Sequence, residues 1–151
     1  MNETKTRWFE IIGGVAVIVS VLLLAWEIRQ NTQAVKAQSM LDLNVMANQV
    51  LISEAENEQL AGVLVKAEVD FDSLSDTEHR QFQSQTYAVI NALDAAYGFR
   101  KQGILNETDF SGWREYTCPY LGGSAVNQIW ESFKSTFGED FVQFVSETCG
   151  L

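Results

Sequence analysis

The chain has 151 residues, a formal net charge of −10 and a single proline, Pro119. Setting aside one apolar stretch leaves about 120 residues, enough for one small domain with its own core. Residues 30–151 carry 17 acids against 7 bases, and this excludes nucleic acid as a partner, since no basic patch with interleaved aromatics offsets them.

Residues 1–7 read as a short polar tail holding Lys5 and Arg7. From Trp8 to Trp26 the chain is WFEIIGGVAVIVSVLLLAW, and Ile11 to Ala25 contains no charge. As a helix this stretch rises roughly 27 Å, close to the roughly 30 Å hydrocarbon core of a bilayer. Trp8 and Trp26 stand at its ends, where amphipathic rings favour the membrane interface. A cleaved signal peptide is the rival reading, with Lys5 and Arg7 as its basic start. The run is long for that, and no small-x-small cleavage site follows closely.

Gly13, Ser20 and Glu27 are seven apart, with Val17 and Leu24 between them on the same face. Small residues let membrane helices approach closely, and the spacing is that of a coiled-coil seam. These five residues are the candidate helix–helix association face. A lipid-facing helix with incidental small residues is the plain alternative.

After Trp26 no proline or glycine appears until Gly62, so the helix should continue past the membrane. Leu43, Met46, Ala47 and Val50 give this extension an apolar stripe to bury. Asn57 is placed to cap a short helix carrying Leu60, Val63, Leu64 and Ala67. Glu68 to Asp76 reads as a polar loop. Ser75 and Glu78 have capping-box spacing and open a helix from Asp76 to about Lys101. Its apolar face holds Phe82, Val89, Ile90, Leu93, Ala96 and Tyr97, and Gly103 supplies the stop. Asn106 caps a helix with Phe110, Trp113 and Tyr116, expected to end by Pro119. Gly122-Gly123 is a turn. Helices then carry Val126, Ile129, Trp130 and Phe133, and finally Phe141, Phe144 and Val145.

The expected fold is all-α: a transmembrane helix continuing into a small helical bundle. Its parts are a tail over 1–7, a transmembrane helix over 8–28, a helical extension over 29–55 and a helical domain over 56–151.

Catalytic chemistry finds little footing. His79 is the sole histidine, and it lacks neighbours for a metal site or a nucleophile system. Asp70, Asp72, Asp76 and Glu78 partly match a calcium loop. Leu74 replaces a ligand, however, the turn glycine is missing, and Gln81 stands where the bidentate Glu belongs. No phosphate-loop, dinucleotide or H-E-x-x-H motif is present. The expectation is therefore no catalytic residue, no cofactor and no metal. Asn2-Glu3-Thr4 and Asn106-Glu107-Thr108 match the glycosylation triplet, the second reading better as a helix cap.

The whole chain resembles a family of uncharacterised bacterial proteins with one N-terminal span. The resemblance runs through Ile28 to Thr32 (Ile-Arg-Gln-Asn-Thr), Asn57 to Ala61, Asp72 to Ser75 and Gly103 to Asn106 ahead of Trp113. It continues through Trp130-Glu131 and the pair Phe137 and Phe141. The chain departs in lacking a proline after Asn57 and in having two cysteines. The resemblance implies one membrane span and an all-helical domain, and it implies no activity or site.

These readings point to a single-pass protein of a bacterial inner membrane, in contact with lipid. Its expected function is that of an interaction module: a homo-oligomer, or an accessory subunit bound to another membrane protein. The alternative is a helical domain that senses a ligand and signals through the continuous helix. A large pocket with converging polar groups would favour the sensor. A packed core with exposed apolar patches would favour the module. The positive-inside count is tied, Lys5 and Arg7 against Arg29 and Lys36. Two cysteines at helix ends, Cys118 and Cys149, are a candidate disulfide and tip the expectation towards a periplasmic domain. Two separate thiols in a cytoplasmic domain are the alternative.

Overall fold

A computed structural model describes residues 3–151, with side chains at residue 8 and from residue 11 onward. The glycosylation triplet at Asn2 and the side chains of Lys5 and Arg7 lie outside the described residues. The described residues are all-α, with helices α1 (Glu3–Ala55), α2 (Glu58–Val69), α3 (Asp76–Lys101), α4 (Glu107–Leu121), α5 (Ser124–Phe133) and α6 (Glu139–Cys149). Two compact units divide the chain, Met1–Gln38 and Ser39–Leu151.

The described residues of the first unit are helix alone. They supply the one helix among the described residues that is long and apolar enough to cross a membrane. Trp8, Trp26 and the apolar residues from Ile11 to Ala25 are exposed within the chain. The hydroxyls of Ser20 and Thr32 donate to the carbonyls of Ala16 and Ile28, each at 2.8 Å. Each side-chain donor is thereby satisfied within its own helix.

In the second unit the last turns of α1 join a bundle built around α3. Three apolar clusters meet α3 along its length. Phe82 joins Val63 and Ala67 of α2, Leu74, and Ala125 and Ile129 of α5. Ile90 and Leu93 join Leu121, Trp130, Phe137, Phe141 and Val145. Ala96 joins Leu43 of α1, Leu105 and Phe110. Trp130, Ile90 and Val145 are completely buried, and aromatic edges interlock around them: Trp130 meets Phe141 at 6.0 Å, and Tyr97 stacks on Phe144 at 4.7 Å.

Local chemistry sets the helix ends. Asn57 accepts from the Leu60 N–H at 3.1 Å, and Asn106 accepts from the Asp109 N–H at 2.9 Å. Ser75 and Glu78 form both bonds of the capping box. Glu78 also accepts from Lys66 at 2.7 Å, tying α2 to the start of α3. Gly103 has φ +68°, and the Ile104 N–H reaches back to Phe99 O at 2.9 Å. This left-handed stop is one an L side chain would strain.

Three local expectations are corrected. α4 does not end by Pro119 but runs to Leu121. A proline this near the C-terminus removes one backbone donor with little helix left to break, and the Gly122 N–H closes the turn on Cys118 O at 2.9 Å. The stretch from Glu68 to Asp76 is not all loop, because α2 extends to Val69 and Phe71–Ser73 forms a 3-10 turn. The stripe on α1 lies slightly round the helix from its expected line. Leu43 is buried, with Met40 packed beside it and Ala47 and Val50 half-buried, whereas Met46 is 39% exposed. Met46 faces Ala88 and Asn91 of α3 across an open cleft, and these small or polar side chains do not cover it.

Cys118 and Cys149 are joined by a disulfide, with Cα atoms 5.2 Å apart. It links the last turn of α4 to the end of α6, where Cys149 also packs on the central cluster.

Candidate functional site

No group of three or more potential metal ligands occurs among the described residues. His79 packs edge-on against Phe71, ring centroids 4.6 Å apart, as part of the shell over Phe82. Asp70, Asp72 and Asp76 are exposed, and Glu78 is engaged by Lys66 and Ser75. These two bonds, Lys66 first, hold the Glu78 carboxyl down to about 2. It is thus an anion engaged at a helix N-terminus.

Two features remain. One is a cavity of about 460 Å³ between the end of α1 and helices α2 to α5. Phe82, Val89 and Val126 give it apolar walls, and Glu54, Glu68, Gln85, Thr86, Tyr116 and Tyr120 bring polar atoms to it. Tyr116 and Tyr120 stack with centroids 5.4 Å apart. Burial pushes the Tyr120 hydroxyl well above the ordinary phenol range, and burial also raises Tyr116, with Glu54 adding to it. No lysine or arginine is among the described residues lining the cavity. Sequence reading missed it because its residues come from five elements and share no spacing.

The other feature is exposed apolar surface on a domain whose core is closed. On α1, Leu41, Val45 and Ile52 are 56%, 46% and 50% exposed. On α2, Val65 and Val69 are also exposed.

No family model matches this chain, and neither does any curated protein or solved structure.

Of the residues singled out in the sequence, the membrane-interface pair Trp8 and Trp26 stand exposed on α1. So does the association face Gly13, Val17, Ser20, Leu24 and Glu27. A Cβ added at Gly13 or Gly14 would meet nothing within 4 Å. No contact among the described residues therefore calls for glycine there.

Proposed function

We propose that this protein is a single-pass, membrane-anchored interaction module that assembles with itself or serves as an accessory subunit of a membrane complex. One observation carries the reading: the domain has a closed aromatic core, yet α1 keeps large apolar side chains in water on the side away from that core. The glycines at 13 and 14, which no contact among the described residues requires, support association inside the bilayer as well. The resemblance to single-span bacterial proteins supports a bacterial inner membrane. The Cys118–Cys149 bond supports an oxidising compartment for the domain, hence the periplasm. The test is affinity purification of the tagged full chain from its own membranes in mild detergent. The reading expects a stoichiometric companion, either untagged copies or another membrane protein, and purification of the chain alone counts against it.

The cavity favours a second reading, a ligand-sensing domain that signals through the helix. Its acids and stacked tyrosines, with no base opposite, suit a small organic cation with an apolar body. Thermal shift of the full chain against a panel of aromatic amines and quaternary ammonium ions tests it. A midpoint rise that Glu54→Gln abolishes supports the sensor, and a flat response across the panel removes it.

A further inference from the structure

We propose that a narrow apolar slot between α1, α3 and α4 holds the chain of an amphiphilic cation, an alkylammonium whose head lies in the adjoining cavity. The proposal rests on the ligand-sensing reading above and adds the second half of its ligand.

The slot has a volume of about 210 Å³. Its walls are Ala47 and Val50 of α1, Val89, Ala92 and Leu93 of α3, and Trp113 of α4. Leu51 and Tyr116, 63% and 51% exposed, also line it and stand at its rim. No charged residue among the described ones lines it. Two of its residues are alanines, Ala47 and Ala92, and larger side chains there would fill the space. A closed apolar cavity of about 150 Å³ stays dry and takes up a benzene-sized molecule. The slot therefore has room for a short alkyl chain.

Three observations say what kind of molecule the chain belongs to. The first is adjacency. Val50, Leu51, Val89 and Tyr116 line both the slot and the larger cavity of about 460 Å³. All four belong to one compact unit, Ser39–Leu151. A molecule in the cavity thus has the slot beside it.

The second is charge. Two acids, Glu54 and Glu68, line the cavity, with no lysine or arginine among the described residues there. Burial raises the hydroxyls of Tyr116 and Tyr120, and Glu54 lies near enough to both to add to the rise. Such a lining attracts a cation. Tyrosine faces hold ammonium groups, and the stacked pair Tyr116 and Tyr120 supplies them.

The third is the contrast between the two spaces. Glu54, Gln85, Thr86 and Tyr120 bring polar atoms to the cavity, and none of these four lines the slot. A bare ammonium would use only the cavity, and a neutral hydrocarbon only the slot. An alkylammonium uses both. The headgroup of a choline lipid is a poorer match, because its phosphate would face Glu54 and Glu68 with no base to receive it.

The test uses the full chain in nanodiscs of an uncharged galactolipid, with empty nanodiscs as the blank and titration calorimetry as the readout. The probes are tetramethylammonium, butyltrimethylammonium and butanol. Each buried methylene should tighten binding about fourfold, so the butyl cation should bind about 50-fold more tightly than the tetramethyl one. Ala47→Leu, which fills the slot, should bring that ratio close to one. Should Ala47→Leu fail to fold, as its thermal midpoint will show, Leu51→Ser at the exposed rim should lower the ratio instead. Glu54→Gln should weaken both cations, and unchanged binding in that variant overturns the cavity as the place of the head. Equal affinities for the two cations overturn the slot and leave the sensing reading standing. A ratio that survives the slot variant overturns it too, since the chain is then held elsewhere. Butanol binding as tightly as the butyl cation overturns the demand for charge, and phosphocholine competing as well as tetramethylammonium overturns the choice of a free cation over a lipid head. Binding of neither cation removes both the slot and the sensing reading.

Discussion

Reduction of the Cys118–Cys149 bond should loosen the domain by a large and calculable amount. The bond spans a sequence separation of 31, for which the chain-entropy model gives about 3.7 kcal/mol at 25 °C. The compact unit Ser39–Leu151 should unfold with an entropy of about 0.24 kcal/mol/K, from the usual value per residue. The quotient is a midpoint lowered by about 15 °C. The assay is thermal unfolding of the full chain in detergent with and without reductant, followed by fluorescence of Trp113 and Trp130, which lie in this unit. Thiol labelling of the unfolded protein confirms the state of the cysteines. Reduction is preferable to Cys149→Ser, since Cys149 packs on the core and its replacement adds a packing loss. A midpoint unchanged within about 3 °C, with both thiols shown to be free, would refute the reasoning.

Three further outcomes are expected. The Glu78 carboxyl is held down to about 2 by Lys66 and Ser75, so its stabilisation is present above the ordinary carboxylate pKa of about 4.5 and is lost as pH falls towards 2; acid titration of unfolding should show a shallower loss over that window in Glu78→Gln than in wild type. Trp130→Ala should cost about 3–5 kcal/mol in chemical denaturation, because the side chain is completely buried among Leu121, Phe137 and Phe141. Glu27→Gln should increase self-association measured by energy transfer in vesicles, since it is the one acid on the candidate association face Gly13, Val17, Ser20, Leu24 and Glu27 and a pair packed through that face would set its two copies against each other; unchanged transfer would detach Glu27 from the interface.

Much of the fold was legible because its signals are local. Asn57, Ser75 and Asn106 each bond a backbone N–H three residues on, so capping chemistry alone located three helix starts. The period of α3 marked Phe82, Ile90, Leu93 and Ala96, all of them buried. What failed depended on neighbours. Pro119 reads as a stop, yet it sits in a last turn where one missing donor is tolerated. On α1 two lines compete. The sequence offers Leu43, Met46, Ala47 and Val50 as well as Leu41, Val45 and Ile52, and only the packing of Ala96 and Phe110 on Leu43 shows which line the domain takes. The heptad count through Gly13 and Ser20 was visible within the membrane stretch. The cavity at Tyr116 and Tyr120 had no such signal, because five elements build it.

The central claim, an anchored module that works by assembly, is tested most directly by the mass of the chain as it leaves its own membranes. Native electrophoresis of mildly solubilised membranes, with detection of this chain, gives that mass. The account predicts that the chain migrates in a discrete species heavier than its 16.9 kDa monomer, allowing for bound detergent. All of the chain running as a monomer, at native abundance and in more than one detergent, would contradict it.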